Sequence, residues 1–341
     1  MKYSRISNLM LSYISQIIDE ENAVEKTMCA AVIERFGSID ELSIKEIPVP
    51  QIDANEVLIN VKHAGIGQWD TFEREGGYDK MLGLKSKFPY VLGSEGSGVI
   101  VSTGKNVTHF HAGDKVYATG FLNPKGGFYA EYVAINQEYV SFIPKTYTSE
   151  QAAVFSGVGL TALRGLIDIL NIKAGETIII SGASGGVGHI AVQIAEKLGA
   201  EVFAIASGDD GVKFVQQLGI KYVVNGRSID MMAGLRSFGI ETFDKALLTT
   251  GGKLNEKVIS ILKVNGRAAY PFGIDPEPVS QEDITIEGYN GDPDEDILQR
   301  LNEIADSLSP HADKVFTLDQ VSDAHRMLMK HYLGKLCLKV E

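Results

Sequence analysis

From Met28 onward the hydrophobic rhythm of the chain changes three times. Between 28 and 148 short apolar runs recur at 30–33, 42–47, 57–61, 98–101, 115–118 and 130–135, punctuated by Gly, Pro and Asp as in NPKGG and GDKV. Many short strands without intervening helices predict a compact, barrel-like β domain. Near Thr148 the text becomes helical: Thr148 or Ser149 can cap, and Gln151 stands three residues after Thr148. Strands at 177–181, 202–206, 222–224, 245–248 and 267–270 then alternate with helices at 188–198 and 212–218. Such alternation predicts βαβ units and a doubly wound parallel sheet. A third change follows the acidic turn GDPDED: amphipathic helices at 295–308 and 321–330 and a closing strand at 335–340. A lone helix pair has no core of its own, so this tail is expected to return to the β domain. The layout read from the pattern is therefore 1–27, 28–148, 149–290 and 291–341.

Residues 1–27 stand apart. Leu9, Leu11, Ile14, Ile17 and Ile18 have a loosely helical spacing, and polar residues break the apolar stretches. No continuous apolar core precedes a small-residue cleavage site, so the segment is not read as a signal peptide, and it is assigned no function. No run approaches the roughly 20 apolar residues that span a bilayer.

Composition narrows the function. A chain of 341 residues exceeds what one hydrophobic core usually serves. Its net charge of −12 disfavours phosphate backbones and anionic lipid, so neither nucleic acid nor membrane is an expected partner. The two cysteines, Cys29 and Cys337, make no disulfide framework and no CxxC metal site. Both lie in strand-like apolar runs and are expected to be buried and reduced, in the cytoplasm.

The strongest chemical signal is ETIIISGASGGVGHIAVQIAEKLGAEVFAIAS. An apolar strand runs into Gly182-Ala183-Ser184-Gly185-Gly186-Val187-Gly188, a helix follows, and a second strand starts near Glu201. Glycines let the turn reverse tightly, let backbone approach a diphosphate, and let helix pack on strand. The phosphates would rest on free amides at the positive helix end. Lying between strand and helix of a βαβ unit, the motif reads as a dinucleotide fingerprint, with Ser184, Gly185, Gly186, Val187 and Gly188 as coenzyme contacts. Coenzymes lacking a 2′-phosphate are usually held by an acid about 20 residues on. Ser207 occupies that point, and a neutral hydroxyl tolerates a 2′-phosphate, so NADPH is the expected coenzyme. Lys213 and Arg227 are candidate phosphate partners, although Asp209 and Asp210 follow Ser207 closely.

With these motifs placed, residues 28–341 resemble the medium-chain dehydrogenase/reductase superfamily, and most closely its zinc-independent quinone oxidoreductase branch, which includes zeta-crystallin. The resemblance rests on PYVLGSEGSGVIVSTGKNVTHFHAGDKVYA, GGFYAEYVAI, VGLTAL, SGASGGVGHIAVQIAEKLGAEV, TTGG and GKLCLKVE, in that order. It implies a GroES-like β-barrel domain joined to a Rossmann domain, a coenzyme cleft between them, and a homodimer formed through the Rossmann sheets. It places Thr161 near the nicotinamide. Gly251 and Gly252 are expected where backbone approaches the coenzyme, and Phe272 and Gly273 at the nicotinamide end, since ligands in open α/β sheets lie beyond the carboxyl ends of strands.

In the zinc alcohol dehydrogenases of this superfamily the first metal ligand is a Cys before an Asp, and the second a His in a GHE motif. Here GIGQWD puts Gly67 in the first place, and Gly93-Ser94-Glu95 puts Ser94 in the second. Catalytic zinc takes three protein ligands, so no metal is expected; His63, His109 and His111 are read as ordinary surface or core residues. Without a Lewis acid, a quinone or α,β-unsaturated carbonyl is a better hydride acceptor than an unactivated aldehyde. Quinone reductases of this type often carry Asn, Asp and Tyr in the stretch matching GIGQWDTFEREGGY; aligned on Asp70, this chain has Gly67 and Phe72 for the Asn and Tyr. The candidate substrate-side residues are Asp70, Gln68 and Trp69, with Tyr78 and Tyr129 as further donors. For Asp70 a loop-fixing role competes with a chemical one. The lost Asn and Tyr keep a second hypothesis open, a protein that binds NADPH with little or no turnover.

Overall fold

The computed structural model describes residues 27–279 and 281–341. The helical spacing read at 9–18 lies outside the described residues. Strands β1 (Thr27–Ile33), β2 (Ser43–Pro48), β3 (Glu56–Ile66), β4 (Tyr90–Val91), β5 (Glu95–Thr103), β6 (Lys115–Thr119), β7 (Tyr132–Asn136) and β8 (Val140–Phe142) build the first domain. They form a three-stranded sheet, β2-β1-β4, and a second sheet in which β3, β5, β6 and β8 are successive neighbours and β7 pairs with β3. Val57, Ile59, Val61, Ile100, Val116 and Val133 point into one apolar core between them.

The first domain is not purely β. Two short helices, α1 (Gln68–Arg74) and α2 (Gly77–Leu82), interrupt it. The hydrophobic pattern hides α1 because its buried residues are Asp70, Glu73 and Arg74 rather than an apolar stripe. Cys29 is exposed, contrary to expectation, whereas Cys337 is buried. The reason is the strand period: 28 and 30 face the core and 27 and 29 face outward on β1.

The capping reading at Thr148 holds. Its hydroxyl accepts the Gln151 amide at 3.1 Å, and the Gln151 side chain accepts the Thr148 amide at 3.0 Å, opening α3 (Ser149–Ala153). Helix α4 (Ser156–Arg164) leads into the second domain. There β9 (Thr177–Ser181), β10 (Glu201–Ala206), β11 (Tyr222–Asn225), β12 (Phe243–Leu248), β13 (Leu262–Pro271) and β14 (Thr285–Tyr289) form a wholly parallel sheet, ordered β11-β10-β9-β12-β13-β14. Side chains alternate between two cores: Ile178 and Ile180 go to one face, Ile179 to the other, and Val202 and Ala204 oppose Phe203 and Ile205. Helices α5 (Gly186–Lys197) and α6 (Gly208–Gln217) cover one face; α7 (Met231–Arg236) and α8 (Lys253–Ile259) cover the other. The order reverses between β9 and β12, which opens a crevice at their carboxyl ends. Strand β14 escaped the pattern because only Tyr289 in it is buried.

The tail divides. Helix α9 (Glu295–Ala305) lays Ile297, Leu298 and Leu301 into the core of the second domain, so the change of domain falls after it rather than at 291. Only then do β15 (Ala312–Thr317), α10 (Val321–Met327) and β16 (Lys335–Lys339) rejoin the first domain, β16 pairing antiparallel to β3 with Cys337 opposite Gly65. Strand β15 has no fully buried residue to betray it in sequence.

Candidate active site

The crevice has a wall without side chains. Strand β9 ends at Ser181, and Gly182 turns the chain with φ +69°. A side chain there would be strained by its backbone and would meet the Thr249 hydroxyl at 2.6 Å. Gly185 begins α5 and offers no capping side chain. The first amides of the helix, on Gly186, Val187 and Gly188, have no acceptor within it. A Cβ on Gly188 would lie 2.1 Å from the Gly182 carbonyl oxygen. This position therefore holds helix against strand, Gly186 makes room for Val158 and Lys335, and Gly185 leaves the turn without a capping side chain. Geometry of this kind fits a diphosphate resting on peptide amides.

Ser184 is drawn inward. Its hydroxyl accepts the Ser207 amide at 3.0 Å, tying the turn to the end of β10, and its carbonyl accepts the Gly334 amide at 2.8 Å. The tail thus presses on the coenzyme turn, with the Lys335 side chain 3.2 Å from where a Gly186 Cβ would be. The acids after Ser207 are both engaged. Asp209 accepts from the Asn225 amide at 2.8 Å, and Asp210 lies 2.8 Å from His331 Nε2, a contact that holds its carboxyl below the usual range. The other ring nitrogen of His331 is 3.1 Å from an Arg227 guanidinium nitrogen. Arg227 is accordingly linked through His331 to Asp210 in the first turn of α6, whereas Lys213 is exposed on that helix. His331 lies far from Ser207 in sequence, and no local pattern could have signalled it.

At the other end of the crevice, the Thr161 hydroxyl donates back to the Gly157 carbonyl at 2.8 Å, and the Thr161 carbonyl accepts from the Tyr289 hydroxyl at 2.9 Å. Gly251 is compact for a reason internal to the protein, since its Cβ would lie 2.2 Å from the Asp275 carbonyl; Gly252, with φ +91°, faces open space. Phe272 is exposed at the carboxyl end of β13, next to Gly273 with φ +96°.

The opposite wall is crowded. The Trp69 indole fills the space in front of Gly67, where a Cβ would sit 2.4 Å from the ring. Lys335 lies over the same indole, 4.2 Å from its centroid, a cation–π contact. The Lys335 ammonium also pairs with Glu95, both side chains being at most 3% exposed. Glu95 accepts in addition from the Gly157 amide at 2.7 Å and the Ser156 hydroxyl at 3.2 Å, at the start of α4. One buried carboxylate therefore binds β5, α4 and β16 together. The two members of this pair are 240 residues apart, so no local spacing signals it, although they lie inside the stretches GSEGSG and GKLCLKVE.

Asp70 is fully buried. Its Oδ2 accepts the Gly67 amide at 2.6 Å and so caps α1, the loop-fixing role. Its other oxygen makes no hydrogen bond of full geometry, although the Tyr129 hydroxyl is close enough to lower the carboxyl's pKa. Burial raises its pKa to about 7, against the lowering effect of the Gly67 amide and Lys335. Gln68 anchors α1 to the returning tail, its side-chain amide donating to the Leu328 carbonyl at 2.8 Å. Phe72 and Phe121 meet Tyr78 edge-on at 4.7 and 4.8 Å. Among the described residues no three His, Cys, Asp or Glu side chains gather as metal ligands, and His109 and His111 are exposed. None of the described helices is long and apolar enough to cross a membrane.

Comparison with known proteins agrees with this architecture. Residues 53–145 match the alcohol dehydrogenase GroES-like domain family, and residues 186–288 the zinc-binding dehydrogenase family. Human quinone oxidoreductase is 32% identical over 71% of this chain and 72% of its own length. An alcohol dehydrogenase of Geobacillus stearothermophilus is 29% identical over 92% of this chain and all of its own. The crystal structure of the CurK enoyl reductase superposes with a TM-score of 0.81 at 25% identity, over 93% of this chain and all of the other. A GroES-like domain, a parallel dinucleotide-type sheet and these relatives together establish that the chain belongs to the medium-chain dehydrogenase/reductase superfamily, among its quinone oxidoreductase-like members.

Proposed function

We propose that this chain is a zinc-independent, NADPH-dependent reductase of quinones or α,β-unsaturated carbonyls, acting as a cytoplasmic homodimer. The observation that carries the reading is the contrast across the crevice. A bare turn faces a pocket whose two metal-ligand positions are Gly67 and Ser94, and the Trp69 indole stands against Gly67. Such a pocket supports charge on a conjugated oxygen through hydrogen bonds rather than through a Lewis acid.

When bound, the reduced coenzyme supplies hydride to the conjugate carbon of the acceptor. The protein does the rest. Amides of Gly186, Val187 and Gly188 hold the diphosphate, with Ser184 bracing the turn. Ser207 leaves room for a 2′-phosphate, and Arg227, steadied by His331, supplies a cation for it. Thr161, Gly252, Phe272 and Gly273 border the nicotinamide end, and Trp69 with Tyr78 excludes water from the acceptor. Phe72 in place of a polar residue favours a slow enzyme, and the non-catalytic NADPH-binding alternative is the limit of that trend.

Steady-state NADPH oxidation against a panel of quinones and enones, with primary alcohols plus NADP⁺ as control, tests the proposal. Turnover with conjugated acceptors and none with alcohols is expected. Alcohol oxidation that depends on added zinc would refute it.

A further inference from the structure

Hydride addition to a quinone or enone leaves an anion that must gain a proton, and the barrel side of the crevice contains a group of side chains suited to hold one. Asp70 and Glu73 are three residues apart on α1, and both are buried, at 0% and 5% exposure. Each carboxyl has one oxygen occupied: Asp70 by the Gly67 amide at 2.6 Å, Glu73 by the Tyr90 hydroxyl. The second oxygen of each makes no hydrogen bond of full geometry, that of Asp70 having the Tyr129 hydroxyl nearby. The Tyr129 hydroxyl is likewise fully buried without a partner of good geometry, and it lies within the electrostatic reach of Asp70, Glu73 and Glu95. Two buried carboxylates so close together cannot both stay ionised without a strong compensating cation. The cation at hand, Lys335, is already paired with Glu95. Arg74, also on α1, turns away to the Gly37 carbonyl, His325 and Glu75.

We infer that Asp70 and Glu73, with Tyr129 between α1 and the barrel, form a proton store that supplies the hydrogen ion consumed in each reduction. The inference rests on the reductase reading given above. The coenzyme is oxidised and delivers two electrons with a hydrogen nucleus, forming a C–H bond on an enone or an equivalent bond on a quinone. The resulting enolate or hydroquinone anion takes a proton as a carboxyl O–H bond breaks in the pair. Tyr78, on α2, feels the charges of Glu73, Asp70 and Asp292, and its hydroxyl is the proposed relay for the proton. The pair regains its proton from water after product leaves.

Every charged or titratable group facing the pair bears on its behaviour: Glu95 from β5, Lys335 from β16, Asp79 and Tyr78 from α2, and Tyr90 and Tyr129 from the barrel. Burial, and for Glu73 the nearby Asp70 charge as well, sets the two carboxyls near 7 and 8, which leaves protons on them at neutral pH. They function as a positioning and supply pair rather than as groups touching the acceptor.

Two measurements on the full chain test this. The first is infrared difference spectroscopy of wild type against Asp70→Asn and Glu73→Gln, without substrate. A protonated-carboxyl band at neutral pH that is lost in the variants and titrates away toward alkaline pH is expected; two ionised carboxylates would overturn the inference even if reductase activity is found. The second is single-turnover reduction with a pH-indicator dye. Bulk proton uptake should lag hydride transfer in wild type and coincide with it in Glu73→Gln, whose turnover should fall by about a hundredfold while NADPH affinity is unchanged. Uptake coincident with hydride transfer in wild type would also overturn it. If no acceptor is reduced at all, the reductase reading fails, and the infrared result still decides whether the pair stores protons.

Discussion

The two walls of the crevice are built on opposite principles. The wall at the glycine turn works by omission: Gly182, Gly186 and Gly188 lack side chains that would strike Thr249, Lys335 and the Gly182 carbonyl, and Gly185 opens α5 without a capping side chain. The barrel wall works by accumulation: Trp69, Asp70, Glu73, Glu95 and Lys335 pack charges and rings where a metal site would otherwise stand. A surface made by omission is encoded within a few neighbouring residues. One made by accumulation is assembled from segments hundreds of residues apart and depends on each partner being present.

The barrel wall should therefore be the more fragile. Lys335→Met leaves Glu95 buried without its cation, and a loss of about 3–5 kcal/mol is expected from chemical denaturation. Replacing both, with Glu95→Gln and Lys335→Met, should cost markedly less than the single change; equal losses would show that the pair is not the reason. On the wall at the glycine turn, Gly188→Ala brings a Cβ against the Gly182 carbonyl. A stability loss of about 1–3 kcal/mol is expected, with weaker NADPH binding in the folded fraction, whereas Gly185→Ala, with a nearest neighbour at 3.3 Å, should fold normally.

The acids of α1 give the barrel wall a pH signature. Their carboxyls are raised from 3.8 to about 7 and from 4.5 to about 8. The folded state thus binds more protons than the unfolded state between those values, and these groups make stability fall as pH rises through the window. His189 and His325, buried and lowered to about 4 and 3, act in the opposite sense, removing stability as pH falls below 6.5. The informative quantity is the difference between proteins: the stability of Asp70→Asn relative to wild type should rise as pH is raised from about 4 to 7. Parallel curves would contradict the burial account of Asp70.

The same contrast explains what could be read beforehand. The parallel sheet, the capping box at Thr148 and the strand–glycine turn–helix unit were legible because each is a local rule: alternation, Thr148 with Gln151, glycine at fixed offsets. Helix α1 was not, because its inward face is Asp70 and Glu73 rather than leucines. Nor was the anchoring of Gln68 to Leu328, the pairing of His331 with Asp210, or the Glu95–Lys335 bond, since chain distance carries no spacing signal. The outward face of Cys29 was missed because a strand's period fixes which residues share a side, not which side is wet.

Smaller effects refine coenzyme choice and metal exclusion. Arg227→Ala should weaken NADPH binding about tenfold and leave NADH unchanged; equal weakening of both would remove Arg227 from the 2′-phosphate. Gly67→Cys with Ser94→His should not retain zinc by elemental analysis, because the Trp69 indole occupies the space of the introduced thiol and two ligands fall short of the three that catalytic zinc takes.

Trp69 is the only tryptophan and stands beside the coenzyme turn through Lys335. Its emission should report directly on whether the bare turn holds a reduced nicotinamide coenzyme. Titration is predicted to give saturable quenching with both coenzymes and tighter binding of NADPH; emission unmoved by either, with calorimetry equally silent, would contradict the account at its base.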